Sequence, residues 1–134
     1  MTLVDTNVVV DVLTADPNWM DWSARRLANC SESGPLYINE ITYAELAVRI
    51  EVQTLLTRVL ADLSLQLDRT PLHALFRVGR AFSRYRAAGG PRASLIPDFF
   101  IGAHAEVRRL PILTRDVRRY RVYFPRVRLI APEP

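Results

Sequence analysis

The chain has 134 residues, 49% hydrophobic and 24% charged, a balance that suits one globular domain with a real core. No apolar run approaches the roughly 18–20 residues of a membrane span, and Asp5 and Asp11 interrupt what would be the apolar stretch of a signal peptide, so a cytoplasmic protein is expected. The lone Cys30 excludes an internal disulfide and a thiolate metal site, while a net charge of +4, with every one of the 18 basic residues an Arg, permits a polyanionic partner without demanding one.

Thr2-Leu3-Val4 reads as a short buried strand ending in Asp5, followed by a helix to Leu13 with Asn7 as its N-cap. An acid at the carboxyl end of a parallel strand sits where α/β sheets place their ligands. Asp16-Pro17-Asn18 is a turn, with Asn18 capping a helix to about Cys30 whose apolar side holds Trp19, Trp22, Ala24 and Leu27. A loop at 31–35 precedes a strand, Leu36-Tyr37-Ile38, and Asn39 or Thr42 caps the next helix. At 3.6 residues per turn, Ile41, Glu45, Val48 and Val52 share a stripe, so Glu45 is expected among apolar neighbours, where an unpaired charge is costly. Glu40, at the helix start, reads as a surface acid matched to the helix dipole.

Helix continues from Gln53 to Leu63, and Leu65-Gln66-Leu67-Asp68 alternates like a short strand. Pro71 opens a long helix to about Ala88, closed by Gly89-Gly90. Its inner side is read as Leu72, Leu75, Phe76, Gly79, Phe82 and Ser83, and His73, Arg77, Arg80 and Arg84 form a second stripe. Such a stripe is ordinarily a solvated face, but opposite an acidic pocket it suits a phosphate backbone, with Arg86, Arg92 and Arg115 adding positive charge. Pro97 fits the first turn of the following helix. Asp98 there heads an inward stripe of Ile101, Gly102 and Ala105, and His104 reads as structural. Pro111 to Thr114 is a strand with Asp116 just beyond it, mirroring Asp5. A loop or short helix rich in Arg and Tyr leads to a last strand, Val127 to Ile130.

Strands alternate with helices throughout and no linker divides the chain, so residues 1–134 form one α/β domain with a mostly parallel sheet. Asp5, Glu45, Asp98 and Asp116 would then meet at one sheet edge. Four carboxylates repel by several kcal/mol at low effective dielectric, and all-oxygen ligation suits Mg²⁺ or Mn²⁺ better than Zn²⁺.

Four stretches carry a resemblance: Asp5-Thr6-Asn7; Tyr43-Ala44-Glu45-Leu46; Pro97-Asp98 with Ile101-Gly102-Ala103-His104-Ala105; and Leu113-Thr114-Arg115-Asp116. Together they resemble a PIN-domain ribonuclease, more narrowly the VapC toxins of bacterial toxin–antitoxin pairs, over nearly the whole chain. The resemblance implies a three-layer fold with Asp5, Glu45, Asp98 and Asp116 as the catalytic, metal-holding acids and Asn7 and Thr114 as polar contacts around them. It also implies Mg²⁺-dependent or Mn²⁺-dependent hydrolysis of RNA, silencing by a cognate antitoxin, a homodimer, and operator DNA bound only through the antitoxin complex. The alternative is a catalytically silent RNA-binding or interaction module on the same fold. A phosphatase or receiver domain fits worse: those use a Lys that this chain lacks, and Asn7 stands where a dehalogenase motif has a second Asp.

Overall fold

The computed structural model describes residues 1–91 and 96–134. Its order is β1 (Thr2–Val4), α1 (Thr6–Leu13), α2 (Met20–Glu32), β2 (Leu36–Ile38), α3 (Glu40–Arg49), α4 (Gln53–Asp62), β3 (Leu65–Leu67), α5 (Leu72–Ala87), α6 (Pro97–Arg108), β4 (Ile112–Leu113), α7 (Arg118–Tyr123) and β5 (Leu129–Ile130). The five strands form one sheet in the order β3-β2-β1-β4-β5, with every pairing parallel. The result is a three-layer α/β fold in which helices cover both faces of the sheet.

Strand side chains alternate between the two faces, and that sorts the core. Leu3 and Ile112 pack with Ala74, Val78, Phe99, Ile101 and Tyr120 of α5, α6 and α7. Val4 and Leu113 turn the other way, onto Val8, Leu27, Leu46 and Leu56 of α1 to α4. Strand order reverses beside β1, since β2 and β3 lie on one flank and β4 and β5 on the other. The carboxyl ends of β1 and β4 therefore border a crevice at the switch point, the usual ligand position in such sheets.

Several sequence expectations need correcting. Helix α1 starts at Thr6, so Asp5 takes the N-cap position and Asn7 lies inside the first turn. Asn18 does not cap α2; instead Asp16 accepts from the Asn18 and Trp19 amides, and Trp19 stands at the helix boundary. Helix α3 ends at Arg49, which removes Val52 from its stripe, and Val48 is 82% exposed; the inward residues are Thr42 and Leu46. On α5 the buried face is Ala74, Val78 and Ala81, while Leu72 and Phe76 are 83% and 67% exposed. Small side chains face inward because α5 lies close along α6. Gly102 serves the same close packing: a Cβ there would fall inside the buried Phe124 ring.

Other expectations match the fold. Asn39 caps α3, accepting from the Ile41 and Thr42 amides at 3.2 and 3.3 Å, and Pro97 sits in the first turn of α6. His104 is fully buried and structural. Its Nε2 lies 2.7 Å from Asp68 Oδ2, its Nδ1 lies 3.3 Å from Asn39 Nδ2, and Arg108 forks Asp68 at 3.0 and 3.2 Å. That network ties the end of β3 to α3 and α6.

Candidate acidic site

Leu3 pairs with Ile112 and Val4 with Leu113, so the residues that follow, Asp5 and Thr114, emerge side by side at the carboxyl edge. The register thus makes Thr114, and not Asp116, the counterpart of Asp5. Thr114 Oγ1 donates to Asp5 Oδ2 at 2.9 Å, and the Tyr120 hydroxyl donates to the same oxygen at 2.7 Å. Asn7 Nδ2 reaches that oxygen at 3.4 Å and Thr114 Oγ1 at 3.3 Å, while Asn7 Oδ1 accepts from the Arg115 amide at 3.3 Å. Asn7 therefore clamps β1 to β4 from the first turn of α1.

Asp5 is only 4% exposed. Burial, and next the charge of Asp98, push its carboxyl up from 3.8 to about 6, against the hydrogen bonds from Tyr120, Thr114 and Thr6 that hold it down. Tyr120 is buried beneath it, and its phenol is pushed well above 10 by burial and then by the charges of Asp5, Asp98 and Glu45. One phenol thus feels three of the predicted acids, which arrive from β1, α6 and α3. Glu45 is held by Thr6, whose Oγ1 donates to Oε1 at 2.7 Å and lies 3.1 Å from the Thr42 hydroxyl.

Asp98 faces Arg119 Nη1 at 3.4 Å from the first turn of α6. Asp116 lies further out. Its carboxylate meets Arg118 Nε at 3.4 Å, and Arg118 and Arg119 hold its carboxyl below the ordinary value despite partial burial. Its backbone is pinned inward, with the amide donating to Thr114 Oγ1 at 3.1 Å. Arg119 therefore stands between the two acids on the crevice rim.

The predicted arginines divide by position. Arg115 forks Asp11, which is fully buried, at 2.8 and 2.9 Å, and its guanidinium also lies 5.5 Å from the Trp19 ring centre. Ser23 Oγ completes that pocket at 2.8 Å from Asp11, so Arg115 braces α1 and α2 against the β4 loop. Arg77 pairs with Glu106. Arg80 and Arg84 lie over the Phe76 and Tyr123 rings, at 5.7 and 5.4 Å. Arg86 is exposed on the last turn of α5, and Arg92 falls outside the described residues.

Among the described residues, no three His, Cys, Asp or Glu side chains form a group that could hold a metal ion. Mg²⁺ does not require one, because it is commonly held by one or two carboxylates and keeps several waters. Asp5 and Asp98 fit that pattern: one carboxylate is held at Oδ2 by Thr114 and Tyr120, and the charge of the second raises its proton affinity. A cation between them would relieve their repulsion. Four contributing residues escaped the sequence reading: Thr6, Asp11, Arg119 and Tyr120. Thr6 lay inside a motif already singled out. Nothing in the Arg- and Tyr-rich run at 118–123 distinguishes Tyr120 until β4 is placed beside β1.

The PIN domain family matches the chain over residues 2–125. Solved structures of similar fold include VapBC2 from Rickettsia felis bound to a DNA fragment from its promoter, at TM-score 0.73 and 17% identity, covering 97% of both chains. DNA-bound VapBC from Salmonella typhimurium is similar at TM-score 0.68 and 23% identity over 98% of both chains. FitAcB from Neisseria gonorrhoeae gives TM-score 0.64 and 22% identity over 97% of this chain and 96% of that one. No curated protein matches the chain.

Proposed function

The chain belongs to the PIN domain family, and from that premise we propose that it is a metal-dependent endoribonuclease acting as the toxin of a bacterial toxin–antitoxin pair. The observation that carries the reading is Asp5, a buried carboxylate pushed up to about 6 by burial and by Asp98, in a crevice whose phenol also feels Glu45. A fold that leaves like charges this close has reason to expect a cation. The solved VapBC and FitAcB structures of similar fold support the toxin–antitoxin setting.

Asp5 and Asp98 would hold Mg²⁺ or Mn²⁺ directly, and Glu45 and Asp116 would either ligate it or hold its waters. When bound, the ion polarises the scissile phosphate and lowers the pKa of an attacking water. The chain's own residues do the positioning. Tyr120 and Thr114 fix Asp5 through Oδ2. Thr6 orients Glu45, a second carboxylate able to take a proton from water. Arg119, already against Asp98, is placed to exchange that partner for a phosphate oxygen. A cognate antitoxin, a homodimer, operator DNA reached through the antitoxin complex and a cytoplasmic setting complete the proposal. Among the described residues, no helix is long and apolar enough to cross a membrane.

The test is Asp98→Asn. The purified variant should keep the wild-type circular dichroism spectrum, lose RNA cleavage by at least a hundredfold, and no longer arrest growth when induced. A chelator should stop the wild type, and Mg²⁺ or Mn²⁺ should restore it. Equal cleavage by variant and wild type, or cleavage indifferent to chelation, refutes the assignment.

A further inference from the structure

We propose that a basic cleft on the edge of the sheet opposite the acids is a second binding site for the phosphodiester backbone of single-stranded RNA, reached from the acidic crevice along α5. The proposal rests on the nuclease reading only for the identity of the strand. The cleft has a volume of about 610 Å³ and is lined by His73 and Arg77 of α5, Glu106 and Arg109 at the end of α6, and Arg126 and Arg128 ahead of β5. Arg109 lies just before β4 and Arg128 just before β5. In an all-parallel sheet those positions mark the amino edge, whereas Asp5 and Thr114 mark the carboxyl edge.

The charge of the cleft is available. Its one carboxylate, Glu106, is taken by Arg77. Among the described residues, the guanidinium groups of Arg109, Arg126 and Arg128 make no hydrogen bond or ion pair, unlike those of Arg77, Arg108, Arg115, Arg118 and Arg119. Three unpaired guanidinium groups around one concavity suit phosphates, which Arg can fork.

The cleft also continues. A smaller cavity of about 160 Å³ shares His73 and Arg77 and extends past Phe76, Arg80 and Arg84 to Tyr123. Tyr123 belongs to α7, the helix that places Arg119 beside Asp98 and Tyr120 beneath Asp5. Positive charge therefore runs from the crevice rim, over the α5–α7 junction, to the far edge. Phe76 and Tyr123 offer ring faces along the way, each with an Arg above it. A basic groove interrupted by aromatic faces is how proteins hold single strands. Those rings favour bases over the carboxylates of an acidic peptide, and stacking on them requires the open faces of unpaired bases, which a single strand offers and a duplex does not.

The experiment measures fluorescence anisotropy of a labelled single-stranded RNA of about 16 nucleotides on the full chain in chelator, so that nothing is cut. Wild type is compared with Arg126→Ser/Arg128→Ser and with Arg58→Ser as a control on α4. The double variant should bind about tenfold more weakly, with a log–log salt slope shallower by about 1.4, as expected for two lost phosphate contacts. It should keep the wild-type Tm, since both residues are exposed. Unlabelled RNA should displace the probe, and a glutamate-rich peptide of equal charge should not. Affinity and slope equal to the control, or better displacement by the peptide, overturns the cleft. Cleavage is read separately with added Mg²⁺. A wild type that binds RNA but never cuts it defeats the nuclease reading and leaves the binding result standing.

Discussion

Asp5→Asn removes one charge from a buried position while keeping the size of the side chain, so its effect should depend on pH in a calculable way. In the folded chain the Asp5 carboxyl lies at about 6, against 3.8 for an unperturbed group. Between those values the folded chain holds a proton that the unfolded chain has lost, so stability falls as pH rises through the window. A rise of about two pH units at 1.36 kcal/mol each corresponds to about 3 kcal/mol, fully expressed above pH 7 and about 1 kcal/mol at pH 4.5. The Asn variant has no such dependence. Its stability relative to wild type should improve by about 2 kcal/mol between pH 4.5 and pH 7.5, or roughly 6–10 °C in Tm for a chain of this size. Thermal unfolding by circular dichroism in chelator, wild type and variant side by side at both pH values, isolates this difference from the titrating groups that do not interact with Asp5. A gap that is the same at pH 4.5 and pH 7.5 would refute the claim that Asp5 ionises against burial and against Asp98.

Arg115→Ala should cost about 3 kcal/mol in urea unfolding, because it strands the fully buried Asp11 carboxylate; an unchanged midpoint would mean that Arg115 does not brace the fold. Gly102→Ala should lower stability by about 1–3 kcal/mol by forcing Phe124 aside, read from the same urea curves. Tyr120→Phe deletes the 2.7 Å donor to Asp5 and should cost about 1.5–3 kcal/mol at pH 7.5, where the acceptor is ionised, and less at pH 4.5. In cleavage assays it should depress kcat more than it raises KM, since it orients Asp5 without touching RNA.

Alternation of apolar strands with helices made the parallel sheet legible, and the Asn39 cap, the Pro97 helix start and the structural role of His104 could be read from local chemistry. The inward faces of α3 and α5 could not. Counting apolar residues selects Leu72 and Phe76, but a helix lying close along its neighbour buries Ala74, Val78 and Ala81; the spacing between helices decides, and no single helix encodes it. The apolar stripe invoked for Glu45 fails for the same reason, since Val48 points to solvent and Thr6 is what holds the acid. The pairing of Asp5 with Thr114 turns on a register between strands more than a hundred residues apart. A shift of one position would exchange which side chain stands opposite Asp5, and the motif containing Thr114 and Asp116 does not say which it is.

The pairing of β4 with β1 also bears on how the protein is made. During synthesis, Asp5 and Glu45 leave the ribosome well before Thr114 and Tyr120, the residues that support Asp5, have been made. Prematurely terminated products lacking β4 and α7 would have the first acids without the supports that orient them. A crevice assembled this way stays incomplete in nascent and broken chains until β4 and α7 have been made and have folded beside β1.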